Sequence, residues 1–312
     1  MQLQLRKPLA QGRTKRFFKA LPLSMLALPG ILFMLVFNYI PLYGLVLPFK
    51  DYKVNLGFFG SEWVGFENFE FLFVSKDILV ATRNTLLYNL IFIFVGTAVS
   101  VVIALLLFEL GRKAVKVYQS VLLLPHFISW VVLAFAVKGL FDTNYGVFNQ
   151  ILAQFGIAPV MWYNEAKYWP AILIFFGIWK GMGYSAIVYY ATLMGIDREL
   201  FEAAMIDGAG KLKQMWHISV PLLKPILTIM IILKIGQIFY GDFGLFYNLP
   251  LNSTLLYPAT DVIDTFVYRS LIVMGDIGMS SAAGFFQAVV GFVLVLATNL
   301  VVRKVDGDNA LF

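Results

Sequence analysis

The sequence predicts an all-α integral membrane protein of about six transmembrane helices, and three observations carry that prediction. Of 312 residues, 60% are hydrophobic and only 13% are charged, against about 25% charged in an ordinary soluble domain. The mean hydropathy is +0.80. The apolar residues are gathered into long charge-free runs, as a bilayer solvent requires, rather than spread through a water-facing domain.

A helix needs about 20 apolar residues to cross the hydrocarbon core. The first candidate is 22–48, inside a stretch from Ala20 to Phe49 that carries no charge and is punctuated by Pro22, Pro29, Pro41 and Pro48. The second and third are 84–108 and 117–137. The fourth, 168–196, is interrupted by Lys180, and the fifth, 221–240, holds Lys224 and Lys234. The sixth is 282–302. Residues 1–19 form a basic tail with six Lys or Arg and no acid, and 303–312 form a short tail at the other end. The apolar stretch after Lys19 is too long for a cleaved signal peptide and lacks a clear small-x-small site.

Loop charge then predicts orientation. With the first residues inside, the inner segments hold 14 Lys and Arg and the outer segments hold 7. The positive-inside rule therefore places both termini in the cytoplasm. The outer segments carry 11 Asp and Glu. The +6 net charge reads as a membrane flank and not as a nucleic-acid surface, because it is concentrated before a span. There is no Cys, which excludes disulfides, thiolate metal sites and a cysteine nucleophile.

The loop 197–217 stands apart from the other connections. It reads as a short helix, a glycine turn and a second short helix leading into the fifth span. Asp197 is a candidate N-cap with Glu199 in the first turn. Ala203 and Ala204 give a helix face with almost no side chain, and Gly208 and Gly210 can take the positive φ that reverses a chain. Pro221 reads as the first turn of the next helix. Such a knob suits docking into a groove on a partner protein.

The stretch Glu202-Ala203-Ala204, Asp207-Gly208-Ala209, Ile218 and Pro221 resembles the Glu-Ala-Ala loop of binding-protein-dependent ABC importer permeases. Three further segments, Asn38 to Gly44, Phe49 to Tyr52 with Trp63 to Phe69, and Asp261 to Arg269, are similar to the LplB-like branch of carbohydrate permeases, which is related to maltose-type and alginate importers. The resemblance implies a type I importer permease fold of six spans with a cytoplasmic coupling helix, in a bacterial inner or plasma membrane. It implies a second homologous permease subunit, giving a heterodimer, and an extracytoplasmic solute-binding protein that delivers an oligosaccharide. It also implies two ATPase subunits, which carry the ATP and magnesium. Glu202, Ala203, Ala204, Asp207 and Gly208 would then couple this chain to an ATPase. The chain itself binds no cofactor and is not expected to be an enzyme, since it has no Gly-x-x-x-x-Gly-Lys-[Ser/Thr] phosphate loop.

Candidate residues for the substrate path are Lys180, Tyr184 and Tyr189 in the fourth span, and Lys234, Gln237 and Tyr240 in the fifth. A charge inside the membrane is costly and marks function by default, and aromatic faces suit sugar rings. The opposing reading is that Lys180 snorkels or pairs internally. Trp130 and Asn84 read as packing or interface residues. His126, after Pro125, would turn its ring to a freed carbonyl, and His217 is structural too; two separated His make a poor metal site. Asp261 and Asp264 read as the solvated face of an outer helix. Alternatives to the sugar importer are a permease for another solute, an ATP-independent transporter or a membrane-embedded enzyme.

Overall fold

No water reaches the hydrocarbon core, so every backbone N–H and C=O there must be satisfied within its own segment, and the apolar runs become helices. The computed structural model describes residues 25–305. The basic tail 1–19, the start of the first span and the end of the 303–312 tail lie outside those residues. Among the described residues, five helices are long and apolar enough to cross a membrane, and a bent pair counted as one span makes six.

Helix α1, Met25–Phe49, lies at the periphery and packs through its final turns against the last helix. Its ladder widens at Leu35–Tyr39 and tightens over Ile40–Phe49 around Pro41 and Pro48, which lack the N–H a regular ladder needs. Two short strands follow, β1 (Lys50–Asp51) and β2 (Glu62–Trp63), paired antiparallel. Lys50 Nζ donates to Phe58 O at 2.6 Å. Phe49 gathers Trp63, Phe66, Phe69 and Phe285 around its ring, which seats this loop on the last helix.

Helix α2, Lys76–Phe108, begins eight residues before the charge-free run at Asn84, because helical hydrogen bonding continues through the polar turn that projects beyond the apolar band. The third span is not the straight helix expected over 117–137. It is two helices, α3 (Arg112–Phe127) and α4 (Trp130–Phe141), bent by 92° at the break between them. Pro125 removes an N–H from the last turn of α3, and Ser129 caps α4 by accepting from Val132 N at 3.2 Å. A short helix α5 (Val147–Gln154) leads to the central helix α6 (Trp169–Leu193), which packs on α2 and α3. The tightest approach is at Gly183, where a Cβ would fall 1.9 Å from Leu122 O.

Next come α7 (Arg198–Ile206) and α8 (Lys211–Gly236). The expected second short helix of the 197–217 loop is in fact the first turn of α8, which starts ten residues before Pro221. A wide π-turn at Met215–Ser219 precedes the proline and lets the helix pass its missing N–H, so Pro221 does not begin a helix. Helix α9 (Ile263–Arg269) and the long α10 (Ile277–Val305) complete the chain, with α8 against α10.

Three buried clusters set the interior among the described residues, the smallest of them Leu72, Ile78, Ala81, Ile263 and Phe266. Trp169, Leu173, Leu249, Leu256 and Val262 fill the half opposite α7, and Ala104, Leu105, Tyr189, Leu193 and Leu223 fill the half beside it. Much of the remaining apolar surface is exposed, Phe94, Leu106, Phe135 and Phe175 among it. That is the surface a lipid-facing bundle presents.

Candidate functional site

The first candidate site is α7 with its flanking turns. Asp197 caps it, accepting from Glu199 N at 3.1 Å. Phe201 anchors it against Phe108, with ring centroids 5.4 Å apart. The chain then reverses at Gly208, whose φ is +77°, while Ala209 N donates to Ala204 O at 2.8 Å. Gly210 has φ −67°, so only Gly208 uses the positive φ expected of both. Lys211 pairs with Glu109 at 2.8 Å, and Gln214 Nε2 donates to Ala209 O at 2.8 Å. The turn is thereby tied to α2 and α8 together.

On this scaffold Glu202, Ala203, Asp207 and Gly208 are exposed and Ala204 is half-buried. Among the described residues nothing pairs with the Glu202 carboxylate. Ile206 is 87% exposed, and Leu212 and Trp216 lie open beside it. These three apolar side chains were not singled out in the sequence, because they continue the hydrophobic phase of α7 and α8. His217 Nδ1 lies 3.0 Å from Lys213 O, a local contact.

The second site is a polar track between α2, α4, α6 and α8. Lys180 Nζ donates to His126 O at 2.6 Å and Pro125 O at 3.3 Å, across the α3–α4 break. Its ammonium lies 5.1 Å from the centre of the Trp130 ring. The His126 carbonyl is the group that becomes free, while its ring stacks on Tyr184 at 5.0 Å, so the ring is not the partner of a freed carbonyl as expected. Trp130 Nε1 donates to Asp242 Oδ2 at 3.0 Å. Trp130 is therefore part of the track and not simple packing. Asp242 carried no signal of its own in the sequence beyond standing next to Gly241 after the fifth span.

Tyr189 is corrected. It is 1% exposed and packed among Leu105, Leu193 and Leu223. Lys234, Gln237 and Tyr240 do come together, around a cavity of about 320 Å³ that Asn89 and Asp242 also line. Lys234 Nζ donates to Thr97 Oγ1 at 3.1 Å.

The acids of the 241–279 loop are corrected too. Asp261 is 5% exposed and pairs with Arg269, and Thr265 Oγ1 donates to its other oxygen at 2.6 Å. Asn84 Nδ2 donates to Asp261 O at 3.0 Å. Burial pushes the Asp264 carboxyl above the usual carboxylate range, offset in part by the Gly241 N–H that it accepts. Neither acid lies on a solvated face.

With Lys180 committed to two carbonyls, its role is to pin the break. Lys180→Met is expected to lower the thermal stability of the detergent-solubilised chain. The loss is about 1.5–3 kcal/mol, the usual contribution of a hydrogen bond to a charged group. Thermal unfolding in detergent checks this, and an unchanged midpoint would show that the break holds without it.

A bent third span, a capped helix standing free at one end and a polar track through the bundle define a transport subunit of the membrane. The chain belongs to the family described as binding-protein-dependent transport system inner membrane component, which matches residues 78–307. It is 34% identical to protein LplB of Bacillus subtilis over 92% of this chain and 90% of that one. It is 35% identical to the polygalacturonan/rhamnogalacturonan transport system permease protein YteP of the same organism, over 93% and 90%. A crystal structure of a bacterial alginate ABC transporter, in complex with its alginate pentasaccharide-bound periplasmic protein, matches with a TM-score of 0.83 and 31% identity. That match covers 93% of this chain and 97% of the other. The resemblance drawn from Glu202 to Pro221 therefore identified the family.

Proposed function

We propose that this chain forms one half of the translocation path of an ATP-driven importer for oligosaccharides. A second homologous permease subunit completes the path, and an extracytoplasmic binding protein delivers the sugar. Two ATPase subunits carrying ATP and magnesium sit at the α7 end, which faces the cytoplasm together with both termini. The substrate class is supported by similarity to YteP and to the alginate transporter, both named for sugar polymers.

The observation that carries the reading is α7 itself. Its fold is fixed by the Asp197 cap and the Gly208 turn, yet Glu202, Ala203 and Ile206 face outward with nothing against them. An ATPase groove would cover that surface, with Ala203 and Ala204 allowing close approach. Lys180, Tyr184, Trp130, Lys234, Gln237 and Tyr240 would line the path.

The test is copurification joined to topology. Solubilised in mild detergent, the chain is expected to retain an ATPase, and to hydrolyse no ATP without it. In the Cys-free background, single cysteines at Phe59, Tyr145 and Val273, each more than 75% exposed, should react with an impermeant thiol reagent from outside. A cysteine at Leu212 should react only after permeabilisation. Outside labelling at Leu212 would reverse the orientation.

A further inference from the structure

A lysine held between helices needs acceptors for three N–H donors, and Lys180 and Lys234 meet that demand differently. Lys180 reaches two carbonyls of the α3–α4 break and the face of Trp130. Lys234, half-buried on the last turn of α8, has one hydrogen bond, to the neutral hydroxyl of Thr97. No carboxylate pairs with it among the described residues. A cation partly withdrawn from water without a counter-ion is costly, and here the shortfall faces a cavity.

That cavity, about 320 Å³, is walled by Asn89, Phe92, Gln237, Tyr240 and Asp242 around Lys234, a size at the small end of ligand pockets. Asp242 lines the same cavity but makes no ion pair with Lys234, its oxygens being turned to other donors. Oδ2 accepts from Trp130 Nε1 at 3.0 Å and Oδ1 from Leu245 N at 3.2 Å. The Gln237 amide and the Tyr240 hydroxyl have no hydrogen-bond partner among the described residues. The unmatched groups are thus one positive charge and two neutral donors, while Phe92 offers an apolar face.

We infer that the Lys234 cavity is a carboxylate subsite, which takes the acid group of an acidic sugar ring as it passes, with Lys234 supplying the charge and Gln237 and Tyr240 the flanking hydrogen bonds. The sugar half of this statement rests on the importer reading above; the anion half does not. Lys180 has its donors occupied and does not discriminate by substrate charge.

The experiment has two arms in the assembled importer. In the first, Gln237→Cys is made in this Cys-free chain. Its reaction rate is then measured with an anionic sulfonatoethyl and with a cationic trimethylammonioethyl methanethiosulfonate. Adding Lys234→Met is expected to lower the anionic-to-cationic rate ratio by about tenfold or more, since one charge about 5 Å away acts with opposite sign on the two reagents and gives that factor even at the dielectric of bulk water. Lys234→Arg should preserve the ratio. A ratio unmoved by Lys234→Met overturns the subsite, whatever the importer carries. The second arm compares uptake of trigalacturonate with that of its methyl ester. Lys234→Met is expected to lower the acid-to-ester ratio by a similar factor, Lys234→Arg to keep it, and Lys180→Met to lower both uptakes alike. Equal loss of both probes in Lys234→Met overturns the carboxylate role. If the unmodified importer takes up neither probe, the sugar reading fails and the thiol rates still decide the anion site. Should Lys234→Met not assemble, Lys234→Gln removes the same charge with a polar side chain.

Discussion

Gly208→Val and Ala203→Asp are expected to reach the membrane at normal abundance and to lose nearly all substrate-stimulated ATP hydrolysis and uptake. At Gly208 the reason lies in the backbone alone. A Cβ there would meet nothing within 4 Å, but φ is +77°, a conformation that costs a β-branched residue on the order of 1–3 kcal/mol. The penalty stays local, so the turn shifts while the bundle stays folded. At Ala203 the exposed surface has no side chain to hold a partner away, and an aspartate would separate the two faces and desolvate a charge between them. Glu202→Ala should act in the same direction but more weakly, by about 1.5–3 kcal/mol for one hydrogen bond to a charged group. Membrane abundance, ATPase retention on pull-down and stimulated hydrolysis, taken from one preparation, separate coupling from folding. Full stimulated hydrolysis in all three variants would remove α7 from the coupling path.

The largest effect on folding is expected at Asp261 and Arg269. Asp261 is 5% exposed and the Arg269 side chain 16%. The pair is surrounded by Thr265, by Asn84 from α2 and by the Tyr257 ring, whose centre lies 4.1 Å from the guanidinium. Removing one partner strands the other charge, a loss of about 3–5 kcal/mol. Asp261→Asn and Arg269→Met should therefore each lower the unfolding midpoint sharply and reduce the yield of inserted protein. The double variant Asp261→Leu with Arg269→Met should recover much of the loss, because two apolar groups leave no charge unpaired. A double variant as damaging as the two single losses combined would show that the packing of these side chains matters more than their charges.

The contrast between these two regions shows what could be read in advance. Asp197 and Gly208 act through neighbours within a turn or two, and their cap and reversal follow from local chemistry. Asp261 depends on Arg269 one helix later and on Asn84, 177 residues away, and no local pattern carries that. The spans were legible because a bilayer excludes charge. The break between Phe127 and Trp130 was not, because hydropathy has no direction, although Pro125 and Ser129 were both present as signals. Tyr189 was within reach of a closer reading. At 3.6 residues per turn it lies about half a turn around α6 from Lys180, whereas Tyr184 shares the lysine's face. Asp242 and Asn89 enter the track only through contacts between α2, α4 and the segment after α8, which sequence order hides.

The break between α3 and α4 also brings two helix ends together at nearly a right angle within one span. Aligned peptide dipoles leave a helix with roughly half a positive charge at its first turn and half a negative charge at its last. Lys180 meets the last carbonyls of α3, at Pro125 and His126. Asp242 is bound by Trp130, the first residue of α4. The carbonyl end of α3 thus faces a cation, while the first turn of α4 is capped by Ser129 and its leading side chain holds an anion. The corner is close to electrically neutral as a unit, so a right-angled joint can stand in a medium that tolerates neither an open helix end nor a lone charge.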